Sequence, residues 1–376
     1  MMGTVLIAGD LFPTAENLAL FTRGDVDALF GEKLAGLFAQ ADYTLCNLEG
    51  ALTDRPEKAR KTGPVKIAPA ASLAAVQKLG IDCCLLANNH VTDAGGQGVV
   101  DTIRILEEAG IASIGAGSCA GEIQRFIVRE IGGLRLGFYN VSETMYNKPG
   151  ASNPGVWLYD EYVVCRELVE AKAKCDYLTV LYHGGIEKFP YPSPETRKRF
   201  HRMADSGADL VIAQHTHCIG CEEIYNGATL IYGQGDFLLR NFAPGLTDSG
   251  LLVELVVDGG KVVVRKHLVR SVDNLYVHYA DVQDLSAYEA RSAKVGDEAF
   301  VYRELQKFCA GELPLYLTAF KSPNKFWRQV RRFCPKLYRK WLYRYRERDL
   351  MFALHTLRSE QNRETAIVGI EDLLKL

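Results

Sequence analysis

The stretch VIAQHTHCIG, residues 211–220, gives the clearest indication of how this chain folds. A run of β-prone apolar residues predicts a buried strand, and two histidines, His215 and His217, follow it one residue apart. If the chain stays extended there, both imidazoles project from the same face, because strand side chains alternate with a period of two. The pair is then either two satisfied polar residues or two metal ligands. The ends of the other strands decide between these readings.

Short apolar segments alternate with helical patterns along the first 217 residues. The predicted strands are TVLIAGD (4–10), DYTLCNLEG (42–50), DCCLLANNH (82–90), IASIGAG (111–117), YLTVLYHGG (177–185) and DLVIAQHTH (209–217). The predicted helices cover 25–39, 96–109, 159–174 and 195–206. Hairpins are predicted over 124–141, over 222–239 with an Asn-Gly turn, and over 250–269 with an Asp-Gly turn. This order predicts an α/β fold with a layered sheet that finishes in antiparallel strands.

From about residue 286 only helical patterns remain, which predicts a main domain over 1–285 and a helical C-terminal region over 286–376. Within that region, residues 321–348 hold 11 Lys and Arg against one acidic residue, although the whole chain carries a net charge of −2. Aromatic and apolar residues recur at helical spacing on both sides of Pro335. Two interpretations stay open: packing on the main domain, or peripheral contact with a membrane or an anionic polymer.

Composition limits the compartment and the class of partner. The apolar run in MMGTVLIAGD is too short for a signal peptide or an anchor, and ten cysteines without a leader favour a reducing compartment. A cytoplasmic location is therefore expected. The basic segment also allows a peripheral position at the inner membrane surface. Because no nucleic-acid recognition motif is present, a nucleic-acid partner is not expected.

Polar residues end five of the predicted strands. They are Asp10; Asn47 with Glu49; Asn88, Asn89 and His90; His183; and His215 with His217. In open α/β sheets the carboxyl ends of strands form the binding crevice, so these side chains are expected to converge. Mixed oxygen and imidazole donors suit Mn, Fe or Zn better than Mg or Ca. The number of donors fits two divalent ions that share a bridging carboxylate.

Several motifs in this order resemble one family. They are GD (9–10), NLEGALTD (47–54), LANNHVTDAGGQGVVDTI (86–103), GIASIGAG (110–117), HGG (183–185) with Glu187, and GADLVIAQHTH (207–217) followed by GATLIYGQGDFLL (227–239). Over residues 3–240 the chain resembles the CapA or PgsA proteins of capsule and poly-γ-glutamate synthesis. That family is similar in fold to the calcineurin-like metallophosphoesterases, which implies a layered α/β fold, a β-sandwich flanked by helices, here with a C-terminal helical appendage.

The resemblance implies roles for individual residues. The implied metal ligands are Asp10, Glu49, Asn89, His183, His215 and His217. Asp10 and His217 would hold the first ion, and Glu49 would bridge or lie beside it. Asn89, His183 and His215 would bind the second ion. His90 would be the catalytic residue that does not bind metal, and would protonate a leaving group or stabilise an oxyanion.

The chain departs from the family pattern at three places. Phe12 stands where related phosphoesterases usually have a histidine. At the second strand those phosphoesterases have a Gly-Asp where this chain has Cys46-Asn47, so the bridging group is either Asn47 or Glu49, and Glu49 is preferred for its charge. Asp236 lies where the capsule family usually has an asparagine and would add a carboxylate.

A second group of residues is predicted to contact the substrate. It consists of Asn47, Lys66, Asn88, Gly184, Gly185, Glu187 and Asp236. The two glycines would let a substrate approach the backbone closely. Lys66 either meets an anionic group or is a solvated loop lysine, and Glu187 either orients His183 or is a surface residue.

The predicted function is that of a dinuclear-metal-dependent hydrolase linked to capsule, polyglutamate or exopolysaccharide biosynthesis, with a phosphate ester or an anionic polymer as substrate. The alternative is a capsule-assembly factor that binds an anionic polymer through the same cleft without cleaving it. Both functions use every ligand named above, so the sequence does not separate them.

Overall fold

The computed structural model describes residues 2–57, 63–143, 149, 151–239, 246–317, 332–334, 336–337 and 346–374. The chain divides into two compact units, one of residues 1–59 and 65–302 and one of residues 60–64 and 303–376. The proposed domain boundary near residue 285 stays a prediction. Most of the basic segment 321–348 lies outside the described residues, so its packing or surface contact also stays a prediction.

The described strands are short in the interior of the chain and long in the last hairpin. In chain order they are β1 (Gly3–Leu11), β2 (Tyr43–Leu48), β3 (Ala51–Leu52), β4 (Ile67–Ala68), β5 (Cys83–Leu85), β6 (Ala112–Ile114), β7 (Ala116–Gly117), β8 (Phe126–Ile131), β9 (Leu134–Ser142), β10 (Gly155–Val156), β11 (Tyr177–His183), β12 (Leu210–Gln214), β13 (Glu222–Tyr225), β14 (Ala228–Ile231), β15 (Asp236–Leu238), β16 (Ser249–Asp258), β17 (Lys261–Val272) and β18 (Tyr276–Tyr279).

The described helices flank these strands along the chain. They are α1 (Leu18–Arg23), α2 (Val26–Gln40), α3 (Leu73–Leu79), α4 (Gly95–Glu108), α5 (Glu161–Lys172), α6 (Pro194–Asp205), α7 (Ser286–Ser292), α8 (Glu298–Leu317), α9 (Glu347–Arg358) and α10 (Glu360–Leu374). Helix α6 begins as its sequence predicts: the Ser193 side chain accepts a hydrogen bond from the Thr196 backbone N–H, and Pro194 occupies the first turn.

Two mixed sheets form the first unit. The first sheet has the order β18-β17-β16-β1-β2-β5-β6, with β15 also paired to β1, and the second has the order β13-β14-β12-β11-β9-β8. The central pairs β1–β2, β9–β11 and β11–β12 are parallel, whereas the β16–β17 hairpin is antiparallel. Parallel neighbours bring the carboxyl ends of their strands to the same edge, which is the arrangement that places the site.

Alternation along β1 shows how the layers pack. Val5 and Ile7 face the core between the sheets, whereas Leu6 and Ala8 face a second core beneath the helices. Helices α1 to α4 contribute to that second core, and α5 and α6 cover the outer face of the other sheet. Burying each such side chain contributes about 1.5–3 kcal/mol. The layered α/β sandwich with C-terminal helices, predicted from the sequence, is confirmed.

Several predicted element boundaries were wrong. The strand predicted to reach residue 90 ends at Leu85, and the chain then turns. The segment predicted as one strand over 111–117 is split between β6 in the first sheet and β7, which pairs with β10. The last hairpin turns at Gly259 and Gly260, not at an Asp-Gly pair, because Asp258 is still paired with Lys261.

In the second unit, α9 and α10 are separated by Ser359 alone. His355 Nε2 and Asn362 Nδ2 are 2.9 Å apart across this junction, and Ala366 and Val368 are buried. None of the helices in the described ranges is long and apolar enough to cross a membrane.

Candidate metal centre

Three neighbouring strands of the first sheet place polar residues side by side. Asp10 in β1 is paired in register with Asn47 of β2 on one side and with Asp236 of β15 on the other. Gly9 is an extra residue in the β1–β2 ladder, and such a bulge re-aims the side chain that follows it. Asn47 Nδ2 donates a hydrogen bond of 2.6 Å to Asp10 Oδ1. Sheet pairing therefore fixes two carboxylates and one amide at one edge.

The second sheet supplies three histidines to the same place. His183 is the last residue of β11, and His215 and His217 follow β12. The ring centroids of His183 and His215 are 4.8 Å apart, and those of His215 and His217 are 5.6 Å apart. The His215 backbone N–H donates a 3.0 Å hydrogen bond to Asp10 Oδ2, which links the sheets at the site.

The extended conformation assumed for the two histidines was wrong. β12 ends at Gln214, and the φ angles of His215 and His217 are 87° and 54°. Two non-glycine residues with positive φ are uncommon, and such backbone strain concentrates at functional sites. The left-handed backbone, not strand alternation, brings the two imidazoles into one cluster.

Glu49 lies at the centre of this cluster, where its two oxygens differ. Oε2 accepts a 2.7 Å hydrogen bond from Lys66 Nζ. Oε1 lies 3.7 Å from His183 Nε2 and 4.0 Å from His217 Nε2, and it has no hydrogen-bond partner among the described residues. The Lys66 side chain is only 9% exposed, so the alternative of a solvated loop lysine was wrong.

Among the residues that the structure describes, two groups of side chains have ligand atoms close enough to hold an ion. Within each, the atoms lie no more than 4.8 Å apart; the groups are Glu49, His215 and His217, and Asp10, His217 and Asp236. Asp236 Oδ1 lies 2.8 Å from His217 Nδ1, whereas Oδ2 has no hydrogen-bond partner in the described part of the chain. An unsatisfied buried oxygen costs about 1–3 kcal/mol, more when charged, and a bound cation would remove that cost. The residues present therefore fit a metal ion.

The electrostatics agree with this fit. Burial and the nearby carboxylates of Glu49 and Asp236 raise the pKa of Asp10 to about 8. Burial alone would lower the pKa of His217, but Asp236 and Glu49 outweigh it and raise that pKa to about 10. Buried negative charge contributes to both shifts, and a proton or another cation would stabilise it.

Two partly exposed residues mark where the cluster opens to solvent. Asn89 Oδ1 lies 3.0 Å from His183 Nε2, next to the predicted ligands. The Glu187 side chain is 44% exposed, and its Oε1 lies 3.8 Å from His215 Nε2. The observed neighbour of Glu187 is therefore His215, and not His183, which was its partner in one of the two predicted alternatives.

His90 is held by a residue that the sequence analysis missed. Its Nδ1 lies 2.6 Å from Asp93 Oδ2, and its Nε2 lies 3.8 Å from Glu49 Oε1. The Asp93 carboxylate accepts a hydrogen bond from His90 Nδ1, so Nδ1 carries the proton and Nε2 faces the cluster. Asp93 lies three residues after His90 in the turn ANNHVTD, and that local spacing was the available signal.

The remaining predicted contacts hold the site together. Asn88 Nδ2 donates to Asn47 Oδ1 and to the Leu48 carbonyl, and Asn88 Oδ1 accepts the backbone N–H of His90. Its whole amide group is used to fix the turn that carries His90.

The two glycines after β11 make room for a carboxylate. Gly185 donates its N–H to Glu143 Oε2 at 3.1 Å, and a Cβ on Gly184 would lie 2.7 Å from the same oxygen. In the structure the Glu143 carboxylate makes the close approach to the glycine backbone that was predicted for a substrate. Glu143 is buried, and the sequence analysis missed it. It follows β9 directly, so the strand-end rule applied to that hairpin would have found it.

Comparison with known proteins places the chain among capsule-synthesis proteins. Residues 4–241 match the family described as "Bacterial capsule synthesis protein PGA_cap". The chain is 25% identical over 313 residues to "Capsule biosynthesis protein CapA" of Bacillus anthracis, a match that covers 81% of this chain and 73% of that protein. It is 26% identical over 231 residues to "PGA biosynthesis protein CapA" of Bacillus subtilis, which covers 60% of each protein.

Among solved structures, the chain is similar to a phosphatase from Mycoplasma pneumoniae. The TM-score is 0.45 with 14% sequence identity, and the match covers 73% of this chain and 96% of that one. A likeness at this level carries no inference about activity.

Proposed function

Since the chain belongs to the bacterial capsule synthesis protein PGA_cap family, we propose that it is a hydrolase dependent on two divalent transition-metal ions (Mn, Fe or Zn). Its substrate is a phosphate ester or an anionic polymer in capsule or polyglutamate biosynthesis. One observation carries this proposal: Glu49 Oε1 and Asp236 Oδ2 are buried beside imidazoles and have no hydrogen-bond partner among the described residues. Carboxylate and imidazole donors in one cluster are typical of such ions.

The contacts support an assignment of ligands to the two ions. Asp10, Asp236 and His217 would hold one ion, and Glu49 with His215 would hold the other. Their further predicted ligands are Asn89 and His183. When bound, the ions would polarise a phosphoryl or acyl oxygen and lower the pKa of a water molecule.

Glu49 is a better bridging group than Asn47. The amide of Asn47 already donates to Asp10 and accepts from Asn88, whereas Glu49 Oε1 is unsatisfied among the described residues. A carboxylate also carries the charge that two cations require.

His90 is the proposed proton donor to the leaving group. Asp93 fixes the proton on Nδ1 and turns Nε2 toward Glu49, so Nε2 can carry and deliver a second proton. The acidity of the cluster also bears on binding: Asp10, Glu49 and Asp236 would repel an anionic substrate until cations neutralise them.

The test compares the metal-loaded wild type with His90→Ala on p-nitrophenyl phosphate, bis(p-nitrophenyl) phosphate and poly-γ-glutamate. We expect the variant to keep its metal and to lose about 10²–10⁴-fold of the rate, the usual value of a positioned acid or base. His278→Ala, which removes a histidine of β18, is the matched control and should keep the wild-type rate. Loss of metal from His90→Ala would make His90 a ligand and contradict its role.

A second candidate function is that of a non-hydrolytic assembly factor that binds an anionic polymer in the same cleft. One observation favours it: Phe12, at the position of a usual ligand, is 2% exposed, so an apolar ring takes the place of an imidazole. The names of the related proteins also refer to biosynthesis. Metal-loaded protein that binds poly-γ-glutamate but cleaves none of the three substrates would favour this candidate.

A further inference from the structure

Lys66 places a buried ammonium group inside the candidate metal centre. Its Nζ lies 2.7 Å from Glu49 Oε2, with side-chain exposures of 9% and 0% for the two residues. The Lys66 backbone is held on both sides: its N–H donates to Asp93 Oδ2 at 2.7 Å, and its carbonyl accepts the Ala51 N–H at 3.0 Å. The Lys66 backbone is therefore held by the same aspartate that holds His90, and its ammonium group is held by Glu49.

This contact changes what Glu49 can offer to a metal. A carboxylate that bridges two ions through both oxygens needs both of them unoccupied. Lys66 occupies Oε2, so only Oε1 faces the imidazoles of His183 and His217. An ion on Oε1 would share the Glu49 carboxylate with the ammonium group on Oε2. Two positive charges that close together repel each other strongly in a buried site.

The two candidate ion groups are consequently unequal. The group of Asp10, Asp236 and His217 brings two carboxylates and one imidazole. The group of Glu49, His215 and His217 brings one carboxylate, whose charge the Lys66 ammonium opposes, and it shares His217 with the first group. The first group therefore has the greater negative charge.

We propose that Lys66 acts as a built-in cation that makes the metal centre asymmetric. The Asp10–Asp236–His217 group binds the first divalent ion tightly, and the Glu49–His215 side binds the second about tenfold or more weakly because the Lys66 ammonium opposes it. This inference rests on the metal centre of the proposed function and adds an order of filling to it.

The test is a calorimetric titration of Mn²⁺ into metal-stripped full-length protein, with bound metal counted independently by elemental analysis. Wild type should bind one ion tightly and a second at least about tenfold more weakly. Lys66→Met should tighten the second ion so that the two affinities approach each other. Lys66→Arg keeps the charge, and Lys261→Met removes an exposed lysine from the β16–β17 hairpin; both should behave as wild type.

Two results would overturn the inference: wild type that binds two ions with equal affinity, or folded Lys66→Met with the wild-type ratio of affinities. The first result needs no variant, so the inference stays testable if Lys66→Met fails to fold. Wild type that binds no Mn²⁺ would instead overturn the metal centre, and the proposed function with it. Elemental analysis distinguishes that failure from equal filling.

Discussion

The two sheets contribute different chemistry to one cluster. The first sheet presents oxygens from strand residues, Asp10, Asn47 and Asp236, which are paired in register with one another. The second sheet presents imidazoles, and two of them, His215 and His217, stand on left-handed backbone beyond the end of β12. The oxygens are thus fixed by hydrogen-bond ladders, whereas two of the three nitrogens are fixed by a loop.

The difference shows why the cluster needs both sheets in one relative position. Gln234 donates to the Ile7 and Leu251 carbonyls at 2.7 and 2.9 Å and accepts from Gln214, which also donates to the Ala8 carbonyl. These buried amides connect β1 and β12 just before the polar strand ends. A rigid set of oxygens and a loop-borne set of nitrogens are held together by this bridge.

The largest effect is expected at His217, because it belongs to both candidate ion groups. Removal of a residue that hydrogen-bonds to a metal ligand typically lowers metal affinity by about 10–100-fold. Because His217 is itself a candidate ligand, His217→Ala should lower metal affinity by at least about 100-fold. His215→Ala should lose less, since His215 belongs to one group only. Elemental analysis after gel filtration measures this. If both variants held as much metal as the metal-loaded wild type, the site would be ruled out.

The next largest effect is expected at the bridge between the sheets. Gln234→Leu removes one hydrogen-bond partner from each of three groups: the Ile7 carbonyl, the Leu251 carbonyl and the side-chain amide of Gln214. We expect the free energy of unfolding to fall by at least about 3 kcal/mol, from about 1–3 kcal/mol for each of the three buried groups. Urea denaturation measures this, with exposed Gln77→Leu as the control. Equal stability of the two variants would show that the bridge does not hold the sheets.

A smaller effect is expected in the second sheet, far from metal chemistry. Burial alone would raise the pKa of Glu223, but hydrogen bonds from Arg197, His201 and Tyr232 lower it from 4.5 to about 2. Because the folded pKa lies below the unfolded one, the stabilisation is complete above pH 4.5 and is lost as the pH falls to about 2. It amounts to at most about 3 kcal/mol at 1.36 kcal/mol per pKa unit.

Glu223→Gln tests this directly. The difference in unfolding free energy between wild type and the variant should be largest above pH 4.5 and should shrink toward pH 2. Metal content should not change. A difference that is constant over this pH range would contradict the ion-pair network, and loss of metal would contradict its independence from the centre.

The smallest effect concerns the basic segment 321–348. Its excess of Lys and Arg would contribute about 1 kcal/mol each near an anionic leaflet. Phe333 and Leu337, two of its described residues, are 72% and 53% exposed. We expect the full chain to sediment with anionic liposomes at low salt and a chain ending at Phe320 not to do so. A shortened chain that loses several degrees of thermal stability, with a full chain indifferent to liposomes, would favour packing instead.

The sequence allowed prediction of the layers and of most of the cluster, because strand ends are local features. His183, His215 and His217 were found this way, although the backbone expected at the last two was wrong. The pairing of Asp236 with Asp10 was not predictable, since it joins residues far apart in the chain. The same holds for the contact between Lys66 and Glu49, because a lysine in a polar loop is exposed more often than buried.

Anomalous diffraction from crystals soaked in Mn²⁺ tests the central claim most directly, since it places the ions without any variant. We expect the strongest anomalous peak among Asp10, Asp236 and His217, and a weaker one between Glu49 Oε1 and His215. Peaks only outside this cluster, in crystals that do contain Mn²⁺, would contradict the central claim.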